Sequence, residues 1–154
     1  MLKVAMIGAG GYAYELIKRM WLIPDKYRLV AVSSNLDRKS AGKMACLEKG
    51  VEIYPTPEDL LEAMKGRVDV IFVPTPIHTH KVLSMKCADA GFDVFLEKPP
   101  VAVIQDLDEL DAYAQSRQKR IAVMFQSFYT GIIKELKKRI VCREVGRIKR
   151  ITIQ

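Results

Sequence analysis

At 154 residues, 49% hydrophobic and 28% charged, the chain has the length and composition of one globular domain with a buried core, unlike a disordered or low-complexity segment. No apolar run reaches the roughly 20 residues of a membrane helix, and Met1 leads straight into a strand pattern instead of a secretory signal; a cytoplasmic location and no membrane partner are expected. The net charge of +7 raises the question of nucleic acid, yet basic residues concentrate only over 134–150, at the spacing of a solvated helix face, so no nucleic-acid partner is expected.

Residues 3–7 form an apolar run ending in glycines, and Tyr12, Ala13, Leu16, Ile17 and Met20 then recur at helical spacing. The first unit therefore reads strand, glycine turn, helix, closed by Pro24. Residues 28–32 predict a second strand, 38–47 a helix and 51–54 a short strand. Thr56 is placed to cap a helix over 57–64, with Pro57 at its first position. Residues 68–73, rich in Val and Ile, suit a central parallel strand covered on both faces. A helix over 79–90 ends at Gly91, a strand follows over 93–96, and Ile104, Leu107, Leu110 and Ala114 mark a helix before a sixth strand over 121–125. Strands alternating with helices in this way predict an α/β fold, a doubly wound parallel sheet of the Rossmann type.

Beyond residue 126 the alternation changes. Ile132, Ile133, Leu136 and Ile140 predict one more amphipathic helix broken at Gly146, and Ile148, Ile151 and Ile153 the start of a strand. A last strand without a partner leaves backbone groups unsatisfied. The expected organisation is thus a nucleotide-binding domain over 1–126 followed, over 127–154, by the first helix and strand of a truncated second domain. Cys46, Cys87 and Cys142 lie far apart, without metal-ligand spacing, and read as buried thiols in helices.

The chemistry sits at strand ends. Gly8-Ala9-Gly10-Gly11-Tyr12-Ala13 fits the G-x-G-x-x-A dinucleotide fingerprint in its proper place, between the first strand and the first helix. Gly8 permits the tight turn, Gly10 lets the backbone approach a pyrophosphate, and Ala13 lets helix and strand pack closely, while Gly11 and Tyr12 open the helix whose amides would hold the phosphates. The second strand ends in Ser33, Ser34 and Asn35, with Arg38 and Lys39 shortly after and no carboxylate before Asp37. A carboxylate there would bind the adenosine ribose and repel a 2′-phosphate; hydroxyls and a guanidinium favour NADP over NAD. The alternative is that Asn35 or Asp37 only caps the next helix.

Ligands bind at the carboxyl ends of parallel strands, which directs attention to Pro74-Thr75-Pro76-Ile77-His78-Thr79-His80 and to Glu97-Lys98-Pro99-Pro100. Lys98, between a carboxylate and a proline, is held in extended conformations by Pro99. Neither His78 nor His80 has the cysteine or carboxylate neighbours of a metal site, and no metal is expected.

With the glycine turn, Thr75-Pro76 and His80, Ala90-Gly91, Glu97-Lys98-Pro99 and Gln126, the whole chain resembles the glucose-fructose oxidoreductase, inositol dehydrogenase and rhizopine-catabolism (Gfo/Idh/MocA) family. The resemblance implies an NAD(P)-dependent dehydrogenase. In that family the first domain binds NAD or NADP, and a second α/β domain holds the small-molecule substrate and commonly drives homo-oligomerisation. It implies that Lys98 stands beside the nicotinamide and the substrate carbon as the catalytic residue, with Glu97, Thr75 and Pro76 on the cofactor side, His80 facing cofactor and substrate, and Gln126 on the substrate side. Ile77 replaces a frequent asparagine and Ser127 a common arginine, and the family's principal acid-base histidine belongs to the second domain. The fragment alone is expected to be inactive. A non-catalytic dinucleotide-binding or sensor module is the alternative.

Overall fold

Alternation along β1 (Leu2–Ile7) sets the architecture: Val4 and Met6 face one side and Ala5 and Ile7 the other, and all four are buried. A strand apolar on both faces needs helices on both. In the computed structural model, which describes residues 1–35 and 40–152, Ala5 and Ile7 pack with Leu60 and Leu61 of α3 (Pro57–Ala63), Cys87 of α4 (Ile77–Asp89) and Leu110 of α5 (Ile104–Ser116). Val4 and Met6 pack with Ala13, Ile17 and Met20 of α1 (Tyr12–Trp21) and with Cys46 of α2 (Ala41–Glu48).

Between these layers lies a sheet with β2 (Tyr27–Ser33), β3 (Glu52–Tyr54), β4 (Val70–Val73), β5 (Asp93–Glu97) and β6 (Ile121–Met124), in the order β3-β2-β1-β4-β5-β6 and parallel at every pairing. The chain winds outwards from β1 to β3, then crosses to β4 on the other side. The order reverses between β1 and β4, where the strand ends splay apart and leave room for a ligand.

Several boundaries moved, with consequences. Thr56 caps α3 as expected, its hydroxyl accepting from the Asp59 N–H at 3.1 Å. Helix α4 starts at Ile77, two residues before the expected start, because Pro76 is extended (φ −60°, ψ 143°) and serves as its N-cap. Residues two apart on a helix point roughly 200° apart. His78 is accordingly exposed while His80 is 1% exposed. Helix α2 starts at Ala41 with Ser40 at the N-cap, so Asn35 does not cap it; Leu36, Asp37, Arg38 and Lys39 lie outside the described residues.

Burial pushes the Cys46 thiol up to about 11 and the Cys87 thiol to about 12. Cys142, expected to be buried, is exposed: it caps the last helix beyond the helix's apolar stripe, in the basic stretch.

Contacts divide the chain into two units, Met1–Met124 and Phe125–Gln154. The second holds a short 3-10 helix (Gln126–Tyr129) and α6 (Gly131–Val141), capped by the Thr130 hydroxyl. Helix α6 ends five residues before Gly146, with Arg143 in the left-handed region (φ +57°) directly after the C-cap. The strand expected from Ile148 onward does not form among the described residues, where no strand pairs with it to satisfy its backbone groups; Ile153 lies outside them.

Candidate functional site

The first unit carries a cleft of about 1000 Å³ where the carboxyl ends of β1, β2 and β4 meet. That is the upper end of the size range of small-molecule sites. Its floor is the glycine turn: Gly8, Gly10, Gly11, Tyr12 and Ala13 all line it. Gly8 (φ +111°) and Gly11 (φ +52°) both occupy backbone conformations that side chains resist, which the tight entry into α1 requires. The Gly8 N–H donates to the Ser33 carbonyl at 2.8 Å and ties the turn to the end of β2. A Cβ on Gly8 would sit 3.7 Å from that of Ala13, so helix and strand are in close contact there.

One wall is the end of β2. Ser33 (3% exposed) and Ser34 (6%) are buried, Asn35 is exposed, and all three line the cleft. The other wall is the loop after β4, with Thr75 and Pro76. The Thr79 hydroxyl lies 2.7 Å from both the Thr75 hydroxyl and the Pro76 carbonyl oxygen, which fixes that loop on the first turn of α4.

Among the described residues, Glu97, Lys98 and His80 do not line the cleft. They belong to the neighbouring strand end: Val73 of β4 pairs with Leu96 of β5, so Glu97 and Lys98 continue beyond that pair, alongside the loop that carries Thr75. Glu97 is 7% exposed and Lys98 is exposed. The His80 ring is turned into the protein: Nε2 lies 2.7 Å from the Thr75 carbonyl oxygen, and Nδ1 lies 3.0 and 3.2 Å from those of Pro99 and Pro100. Gln126 opens the 3-10 helix of the second unit.

The geometry suits a nicotinamide dinucleotide: a glycine turn entering a helix whose first amides face a ligand, at the switch point of a parallel sheet. Known proteins bear on this directly. The model of the oxidoreductase family with NAD-binding Rossmann fold (Gfo/Idh/MocA) matches residues 2–125. The chain belongs to that family.

Within this oxidoreductase family, the chain is similar to inositol 2-dehydrogenase of Klebsiella pneumoniae, 30% identical over 94% of this chain and 43% of that protein. It is 28% identical to inositol 2-dehydrogenase 1 of Saccharopolyspora erythraea, over 77% of this chain and 35% of the relative. Among solved structures it superposes on the WlbA dehydrogenase of Chromobacterium violaceum, a complex with NADH and UDP-GlcNAcA, with a TM-score of 0.83 and 25% identity over 96% of this chain and 41% of that one. The chain thus spans about two-fifths of the length of these relatives.

Knowing the family leaves three features of the site that sequence reasoning passed over. Pro55 and Thr56 from the loop after β3, and Pro57 and Glu58 from the first turn of α3, enter the cleft, because β3 pairs with β2 and brings its own carboxyl end alongside. The Lys86 ammonium beside Glu58 holds its carboxyl below the usual carboxylate range, so the charge that this side adds to the cleft is a paired one. His78 lines the cleft from α4. Finally, Gly42 brings α2 against the glycine turn: a Cβ there would stand 1.8 Å from the Ala9 carbonyl oxygen and 3.2 Å from the Tyr14 ring. A glycine inside a helical run costs ~1 kcal/mol relative to alanine, and that cost was the available signal of close approach.

Proposed function

We propose that this chain is the cofactor-binding part of an NAD(P)-linked dehydrogenase that acts on a hydroxyl-bearing carbon of a cyclitol, sugar or related metabolite. The reading is carried by the family match over 2–125 together with Glu97-Lys98-Pro99 at the end of β5, beside the strand whose end walls the cleft. A nicotinamide dinucleotide bound in the cleft supplies the hydride acceptor or donor. Gly8, Gly10 and Gly11 let the turn approach the pyrophosphate, and the N-terminal end of α1 favours its negative charge. Thr75 and Pro76 flank the cofactor on its other side, and Glu97 orients it. Lys98, exposed at the strand end, holds the reacting oxygen by a hydrogen bond from its ammonium and stabilises the charge that grows there as the hydroxyl proton passes to the acid-base histidine that the family carries in its second domain.

Residues 127–154 begin the domain that holds the substrate and joins copies of the enzyme. NADP is the preferred cofactor. Ser33, Ser34 and Asn35 line the cleft where a carboxylate would repel a 2′-phosphate, and Arg38 follows them in the chain.

Fluorescence titration of the chain with NADPH and NADH tests both statements. NADPH is expected to bind more tightly than NADH. Failure of both to bind at millimolar levels would contradict the cofactor assignment, and tighter binding of NADH would contradict the preference.

A further inference from the structure

His80 is the only histidine among the described residues that is buried, and its ring spans two loops. On one side Nε2 faces the Thr75 carbonyl in the loop after β4; on the other Nδ1 faces the carbonyls of Pro99 and Pro100 in the loop after β5. Carbonyl oxygens only accept, so a ring nitrogen that carries a proton donates into the loop it faces. Proline has no N–H, and two successive prolines leave the loop after Lys98 without backbone donors of its own at 99 and 100. The carbonyls are the backbone groups by which the loop can be held there, and His80 Nδ1 is placed to donate to them.

The ring's own base is firm. Lys81, the next residue, pairs with Asp106 at 2.7 Å and Glu109 at 2.5 Å, which ties α4 to α5. Thr79, the residue before, is bonded to Thr75 and Pro76. Lys98 directly precedes the clipped prolines, and its side chain is exposed, with no ion pair among the described residues.

We propose that His80 is a positioning residue: carried on α4, its buried ring holds the loop after β5 by donating from Nδ1 to the Pro99 and Pro100 carbonyls, and thereby fixes where Lys98 stands beside the cofactor cleft. The role given to Lys98 rests on the function proposed above; the clip does not. His80 itself does not line the cleft.

Two substitutions separate the ends of the clip. In His80→Asn the amide nitrogen takes the place of Nδ1 and still reaches towards Pro99. In His80→Gln it takes the place of Nε2, reaches Thr75 and leaves Pro99 and Pro100 unheld. Lysine amines carrying isotope-labelled methyl groups report on Lys98 by NMR, its signal identified by its loss in Lys98→Arg, with and without NADPH. With thermal midpoints and NADPH affinity alike, the Asn variant is expected to keep the wild-type Lys98 signal and its response to NADPH, and the Gln variant to lose more than half of that response. Equal responses in all three proteins, or equal loss in both variants at unchanged stability, would overturn the proposal. If the variants do not fold, the wild-type ring decides: nitrogen NMR that finds Nδ1 without a proton refutes the clip, and an Nδ1–H coupled across to the Pro99 or Pro100 carbonyl upholds it. A wild-type Lys98 signal that ignores bound NADPH would count against the proposed function of Lys98, while the ligand-free Lys98 signal in the two variants still tests the clip.

Discussion

Gly42→Ala is expected to weaken NADPH binding by at least about tenfold, equivalent to ~1.4 kcal/mol, although Gly42 is not part of the glycine turn. The added Cβ would lie 1.8 Å from the Ala9 carbonyl oxygen, and this is a backbone atom with no rotamer to change. Either α2 or the turn must retreat by roughly 1.5 Å, since real Cβ contacts keep roughly van der Waals distance. Ala9 stands between Gly8 and Gly10, so a retreat of the turn moves the backbone proposed to hold the pyrophosphate. Overpacking itself costs about 1–3 kcal/mol of stability, partly offset by the better helix propensity of alanine. Isothermal titration of both proteins, with unfolding curves alongside, separates the two effects. Wild-type NADPH affinity in the variant would mean that α2 yields instead of the turn and that Gly42 has no part in the site.

The second large effect is on turnover. In an enzyme of the kind proposed, Lys98→Ala is expected to lower kcat by roughly 10²–10⁴-fold, the usual worth of a positioned proton-transfer or oxygen-binding group. The side chain is exposed, so stability should stay within about 0.5 kcal/mol of wild type. Lys98 does not line the cleft among the described residues, so cofactor affinity should hardly change. Steady-state kinetics together with cofactor titration tests this pattern. Undiminished kcat would show that the reacting oxygen is held elsewhere; a loss confined to cofactor affinity would make Lys98 a cofactor contact.

Much of the fold was legible because parallel strands covered on both faces leave an unmistakable mark. The run over 68–73 gives β4, and Val4, Ala5, Met6 and Ile7, all buried and on alternate faces, supply both core layers. The glycine turn and the end of β2 were legible for a different reason: each is a local segment whose chemistry is read from adjacent residues. What sequence could not give was tertiary approach. Nothing local says that β3 lies beside β2, so the entry of Pro55 and Thr56 into the cleft was invisible. The contact of Gly42 with Ala9 depends on how α2 crosses the turn.

Histidine orientation was lost through a two-residue boundary. Starting the helix at 79 leaves His78 in a loop and says nothing of where His80 points. Starting it at Ile77 sends one ring into the cleft's wall and the other inward, to the carbonyls of Thr75, Pro99 and Pro100. The strand expected from Ile148 failed on the same ground as the hidden contacts. A strand exists only with a partner, and an alternating pattern cannot supply one.

The cleft where the carboxyl ends of β1 and β4 meet is the proposed nicotinamide dinucleotide site. A backbone amide NMR map of the chain titrated with NADPH tests it most directly. The largest shifts are expected on Gly8, Gly10, Gly11 and Ala13, on Ser33, Ser34 and Asn35, and on Thr75 and Thr79, with the carboxyl-end loops responding together. Saturable binding that left the glycine turn unshifted and perturbed another surface would contradict it.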